Sequence, residues 1–119
     1  MRIYMMTDQE GISGTWGKNG GVGHNTANEE ASKRLLTAEI NAAVEGLAAA
    51  GAREVVVHQA HAIDIERLHP VASLYMSGDP NAITPIRELD AGFDAAVFIG
   101  MHAMIDAEAG YMDHSFNST

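Results

Sequence analysis

The sequence contains no cysteine. No disulfide can staple it and no thiolate can hold a metal, so any bound ion needs histidine, aspartate or glutamate as donors. Cationic residues are scarce: 7 Lys and Arg stand against 16 Asp and Glu, a formal net charge of -9. Nucleic-acid surfaces draw most of their affinity from clustered Lys and Arg, so nucleic acid is not an expected partner. Excess carboxylate ordinarily keeps a surface soluble and monodisperse; where some carboxylates are ligands, a bound cation offsets their charge. No apolar run approaches the roughly 20 residues of a membrane helix. The opening Met1-Arg2-Ile3-Tyr4-Met5-Met6 reaches Asp8 too soon for a signal peptide. A cytoplasmic location with no membrane partner is the resulting expectation. Pro-, Ser- and Gln-rich tracts are also missing. With 46% apolar and 19% charged residues, the disordered and fibrous classes are excluded.

What is present reads as one α/β domain spanning residues 1–119, long enough to bury roughly two-thirds of its unfolded surface. Ile3 to Thr7 is a short apolar run of strand formers, halted by Asp8-Gln9-Glu10-Gly11. Six glycines between Gly11 and His24, without sustained periodicity, predict a long loop. Thr26-Ala27-Asn28-Glu29 fits a capping box, so a helix is expected from there to Gly51. Its apolar face is assigned to Ala31, Leu35, Ala38, Ala42, the 43/44 pair and Leu47.

Glu54 to His58 is a β-branched run after that helix, and a strand–helix–strand crossover makes the two strands parallel. A turn is expected around His69-Pro70, a strand over Ala72 to Met76 and a short helix over Thr84 to Leu89. Asp94 to Gly100 reads as a further, fully buried strand, and Ala109 to Phe116 as the start of another strand or hairpin. The expected fold is thus a mostly parallel sheet flanked by helices.

Ligands of open parallel sheets bind beyond the carboxyl ends of the strands, where loops converge and helices present their positive ends. Asp8, Glu10, His61 and His102 all map to that edge. In an extended strand, Asp8 and Glu10 leave the same face and can reach a common site. Two carboxylates with two imidazoles suit zinc, with manganese or cobalt as alternatives. A bridging carboxylate lets a pair of such ions polarise a carbonyl and activate water, which is hydrolytic chemistry. Each of these residues, taken alone, more often caps a turn or packs on a neighbour. His114 suits general acid–base work or an ordinary surface position. His24 and His58 are weaker candidates, His69 belongs to a turn, and the methionines are assigned to packing. Gly20, Gly21 and Gly23 lack the context of a phosphate loop.

The opening Asp8-Gln9-Glu10-Gly11-Ile12-Ser13-Gly14 resembles that of the bacterial zinc D-aminopeptidase family, associated with dipeptide transport. Similar matches follow at Gln59-Ala60-His61, Leu68-His69-Pro70, Ser77-Gly78-Asp79, Gly100-Met101-His102-Ala103 and Met112-Asp113-His114-Ser115. The resemblance implies a site for two zinc ions, with Asp8 bridging them, Glu10, His61 and His102 completing most of the shell, and His114 as the catalytic histidine. It implies removal of the N-terminal residue from short peptide substrates, particularly those containing D-amino acids, and assembly into a large ring-shaped homo-oligomer. Members of the family are roughly twice this length and carry a further glutamate ligand beyond the matched region. The chain is therefore expected to be the N-terminal part of a longer one, its second metal weakened. An amidase of another substrate on the same scaffold, or a non-catalytic metal-binding domain, remain alternative readings.

Overall fold

The computed structural model describes residues 1–15, 26–75, 89–110 and 112–114, with the side chains of residues 26–28 and 75 outside the description. Four strands, β1 (Arg2–Thr7), β2 (Glu54–His58), β3 (Ala72–Tyr75) and β4 (Ala95–Ile99), form one sheet. Their order is β3-β2-β1-β4 and every pairing is parallel. Helix α1 (Thr26–Ala49) carries the chain from β1 to β2, and a 3-10 turn at Ile65–Arg67 follows β2. The chain runs from β1 out to β2 and β3 on one side and then crosses to β4 on the other, so the order reverses between β1 and β4. The carboxyl ends of strands at such a reversal are where ligands of open parallel sheets bind.

β1 is the centre of the molecule because it is apolar on both faces. Ile3 and Met5 join Val55 and Val57 of β2 in a core that Leu36, Ile40 and Val44 of α1 complete from above. On the opposite face Tyr4 is fully buried, with the Phe93 ring set edge-on at 5.4 Å and the Arg2 guanidinium 4.2 Å over Phe93. Each fully buried aliphatic side chain contributes about 1.5–3 kcal/mol over an exposed one.

The buried stripe of α1 runs through Ser32, Leu36, Ile40 and Val44; the expected face holds at Ala43, Val44 and Leu47 but is displaced by a residue or more before them. Leu35 is 40% exposed, and Ala38 and Ala42 face outward. The reason is volume. Alanine fits either face, whereas Leu36, Ile40 and Val44 recur every four residues and fix the helix rotation by what they bury. The helix ends as the glycine requires: Gly51 takes φ +96, its N–H donates to the Ala48 carbonyl at 2.9 Å, and the Ala52 N–H donates to the Leu47 carbonyl at 2.9 Å. Those two bonds are a Schellman closure. The side chains that would form the capping box at the other end lie outside the description.

β4 is not the fully buried strand that its sequence suggests. Ala95, Ala96 and Phe98 are exposed, Phe98 by 49%. As an edge strand, β4 has a single neighbour among the described residues, so an apolar run does not guarantee burial. The expected strand or hairpin from Ala109 onward is, among its described residues, a turn with one parallel bridge between Met104 and His114. The short helix expected at Thr84–Leu89 falls outside the described residues, except for Leu89, which is not helical, and so does the expected loop beyond Thr15.

Candidate metal centre

The carboxyl end of β1 is tied to both neighbours before the chain leaves the sheet. Thr7 Oγ1 donates to the His58 carbonyl at 2.8 Å, and the Asp8 N–H donates to the Ile99 carbonyl at 2.8 Å. From Asp8 the chain turns instead of staying extended, so alternation along a strand does not bring Asp8 and Glu10 together. A turn does: the Gln9 N–H lies 2.8 Å from Asp8 Oδ1 and 3.2 Å from Glu10 Oε2, drawing both carboxylates to one point.

This turn is held from beneath. Thr15, 1% exposed, donates to the Ile12 carbonyl at 2.8 Å and lies within 3.3 Å of the Gln9 carbonyl and 3.2 Å of the Glu10 carbonyl. Ser13 meets Glu39 of α1 twice, through its N–H at 3.2 Å and its hydroxyl at 3.1 Å. Neither Thr15 nor Glu39 is apparent as a site-building residue in the sequence, because each contact depends on where the turn and the helix meet in space.

His61, in the loop after β2, brings Nε2 to 3.0 Å from Asp8 Oδ1 and 3.5 Å from Glu10 Oε2. One donor atom from each of Asp8, Glu10 and His61 lies within 4.8 Å of the others. Burial alone would raise the Asp8 pKa, but its hydrogen bonds with His61, Glu10 and the Gln9 N–H outweigh that and hold it well below the usual carboxylate range. Glu10 is pushed upward by burial and then by the negative Asp8 beside it. His61 is raised by its hydrogen bond to Asp8, against the opposing effect of burial. Two carboxylates this close favour a cation beside them, and Asp8 accordingly favours the protonated form of His61.

His102 follows β4 and places Nε2 3.7 Å from Asp8 Oδ2. Its Nδ1 is 2.7 Å from the Ala103 carbonyl, which can only accept, so Nδ1 carries a hydrogen and Nε2 is the ring nitrogen that faces Asp8. The two oxygens of Asp8 thus face two different imidazoles. His114 stacks on His102 with ring centroids 3.5 Å apart, and its Nδ1 donates to the Met112 carbonyl at 2.6 Å.

The remaining histidines separate by environment. His58 is buried at the end of β2 against Tyr4, a packing position. His69 Nδ1 accepts from the Val71 N–H at 3.2 Å within a turn, as its place beside proline suggests. His24 lies outside the described residues. Met5 and Met6 fill the core, but Met104 is 76% exposed and Met112 is exposed too, so packing does not account for every thioether. Among the described residues no helix is long and apolar enough to cross a membrane.

Comparison with known proteins finds relatives of both the sequence and the fold. A D-aminopeptidase of Bacillus subtilis (strain 168) is 34% identical over an alignment of 119 residues that takes in 97% of this chain and 42% of the relative. The solved structure of the zinc-dependent D-aminopeptidase DppA from Bacillus subtilis, a self-compartmentalizing protease, superposes with a TM-score of 0.78 at 34% identity, over 98% of this chain and 43% of that one. The chain therefore spans somewhat under half the length of these relatives. A family profile described as D-aminopeptidase matches residues 1–119, so the chain belongs to the D-aminopeptidase family.

Proposed function

We propose that residues 1–119 supply the metal-binding part of a zinc aminopeptidase that removes the N-terminal residue from short peptides, with D-amino-acid-containing peptides as the preferred class. The observation that carries this reading is the split orientation of Asp8, with Oδ1 3.0 Å from His61 Nε2 and Oδ2 3.7 Å from His102 Nε2. Asp8, Glu10, His61 and His102 are the residues that would hold the ions, with each oxygen of Asp8 facing a different imidazole. The all-oxygen-and-nitrogen donor set, its partial burial and the absence of cysteine fit zinc.

When bound, such ions supply Lewis-acid polarisation of a peptide carbonyl and activation of water. The chain's own residues do the rest. Asp8 and Glu10 concentrate negative charge where the cations sit. The Ala103 carbonyl holds His102 in the tautomer that presents a lone pair to the site. His114, with Nδ1 committed to the Met112 carbonyl, keeps Nε2 to take a proton from the attacking water or give one to the departing amine. Its stacking on His102 fixes that ring beside the donors.

We extend the reading to a homo-oligomer enclosing the sites, supported by the relative being described as self-compartmentalizing, and to a cytoplasmic location, supported by the cysteine-free sequence. The test is Asp8→Ala in the complete protein. Zinc content should fall sharply, and release of the N-terminal residue from D-alanyl peptides should drop by more than about 100-fold. Unchanged zinc content together with unchanged turnover would remove the proposal.

A further inference from the structure

Glycine 11 and glycine 100 come together at the point where the β1 and β4 ends meet. The Gly11 N–H donates to the Gly100 carbonyl at 2.8 Å. A Cβ placed on Gly11 would lie 2.1 Å from the Met101 carbonyl oxygen and 2.9 Å from the Gly100 carbonyl carbon. A Cβ placed on Gly100 would lie 2.2 Å from the Asp8 carbonyl oxygen and 2.6 Å from Ile12 Cγ2, and Gly100 also takes φ +72. The nearest atom to each, the Met101 carbonyl oxygen at Gly11 and the Asp8 carbonyl oxygen at Gly100, is backbone and cannot swing aside as a side-chain tip would. Each glycine therefore lets one site-bearing loop approach the other more closely than any residue with a side chain allows.

The loops so joined carry the donors of both sides. Asp8 and Glu10 lie just before Gly11 on one loop, and His102 lies two residues past Gly100 on the other. The Asp8 N–H bond to the Ile99 carbonyl at 2.8 Å continues the same seam. We propose that Gly11 and Gly100 are positioning residues: the close contact of their backbones sets how far Asp8 stands from His102, and so whether the two can share an ion. His61 reaches Asp8 from β2, on the other side of β1, and is independent of the seam. A side chain at position 11 separates His102 from the cluster and leaves Asp8, Glu10 and His61 together.

This inference rests on the zinc reading above, and its test separates the two. Zinc binding is measured by competitive titration on the wild-type chain and on Gly11→Ala, His102→Ala and Gly46→Ala. Gly11 has no positive φ, so alanine there adds steric conflict alone, and Gly46 faces open space on α1 as the control. Gly11→Ala should reproduce the His102→Ala defect, at least about a tenfold loss of affinity or the loss of one ion. Gly46→Ala should bind as wild type. Wild-type binding by Gly11→Ala beside a defective His102→Ala overturns the inference and leaves the zinc reading intact, whereas a His102→Ala variant with no defect overturns the inference together with the role given to His102. A wild-type chain that takes up no zinc overturns both.

Should Gly11→Ala fail to fold, amide hydrogen exchange on the metal-free wild type decides. The Gly11 amide should already be protected before zinc is added. Protection that appears only with zinc means that the ion, and not the glycines, draws the loops together.

Discussion

His61 Nε2 stands 3.0 Å from Asp8 Oδ1, the contact through which a proton on the imidazole answers the negative charge of the cluster in the absence of metal. Zinc entering there must displace that proton. Because the hydrogen bond to Asp8 raises the His61 pKa above 6.5, most molecules carry the proton at pH 6.5. Calorimetric titration with zinc at that pH, in two buffers of different ionisation enthalpy, should show release of about one proton for the ion bound beside His61. Identical heats in both buffers would mean that His61 is not a ligand.

The same groups set the pH dependence of the metal-free fold. His61 has a raised pKa, so its contribution is complete below 6.5 and is lost as pH climbs through the raised value. Glu10, raised above 4.5, works in the same direction, since its ionisation beside Asp8 weakens the fold as pH rises. Asp8 works oppositely: lowered from 3.8, it stabilises above that value, and the benefit fades only as pH falls through its depressed pKa. In chelator, the melting temperature should decline from pH 6.5 upward, and His61→Gln should flatten that decline. A wild-type profile that rises across this range contradicts the assignment.

Ile40→Ala and Leu35→Ala differ by one helical face. Ile40 is fully buried, and its truncation should cost about 2–5 kcal/mol in urea unfolding. Leu35 is 40% exposed, so its truncation should cost under about 1 kcal/mol. Equal losses at the two positions would restore the helix rotation expected from the sequence.

Two glycines of the same helix should respond with opposite signs. Gly51→Ala places a Cβ at φ +96, with nothing within 4 Å to clash, so the left-handed backbone alone should cost about 1 kcal/mol. Gly46→Ala, exposed in the helix body, should gain about 0.5–1 kcal/mol. Chemical denaturation of both variants distinguishes these outcomes.

Much of the architecture was legible in linear order. Residues 3–7 and 54–58 are apolar runs that central strands require, and Gly51 marked the helix end because its conformation is nearly unique to glycine. The carboxylates and imidazoles that the structure brings near one another were legible because they follow the ends of strands. The phase of α1 was misread because alanine, counted as apolar, carries too little volume to choose a face. Burial of β4 was misread because a run of Ala, Val, Phe and Ile does not reveal how many neighbours the strand has. Thr15, Glu39 and the Gly11–Gly100 seam were out of reach for a related reason: their significance lies in contacts between segments 26 or more residues apart, or in a turn whose shape no periodicity encodes.

Strand β1 pairs on one side with residues 52 positions further on and on the other with residues some 92 positions further on. At about 5–20 residues per second, synthesis leaves roughly 5–20 s between the appearance of β1 and that of its last partner. Throughout that interval the nascent chain presents an apolar strand with an open edge, and a pair of carboxylates without His102. Helix α1 and β2 can shield one flank early and bring His61 to Asp8 and Glu10, but His102 joins the candidate site only when β4 docks. Completion of the site is thus coupled to the most non-local pairing of the sheet.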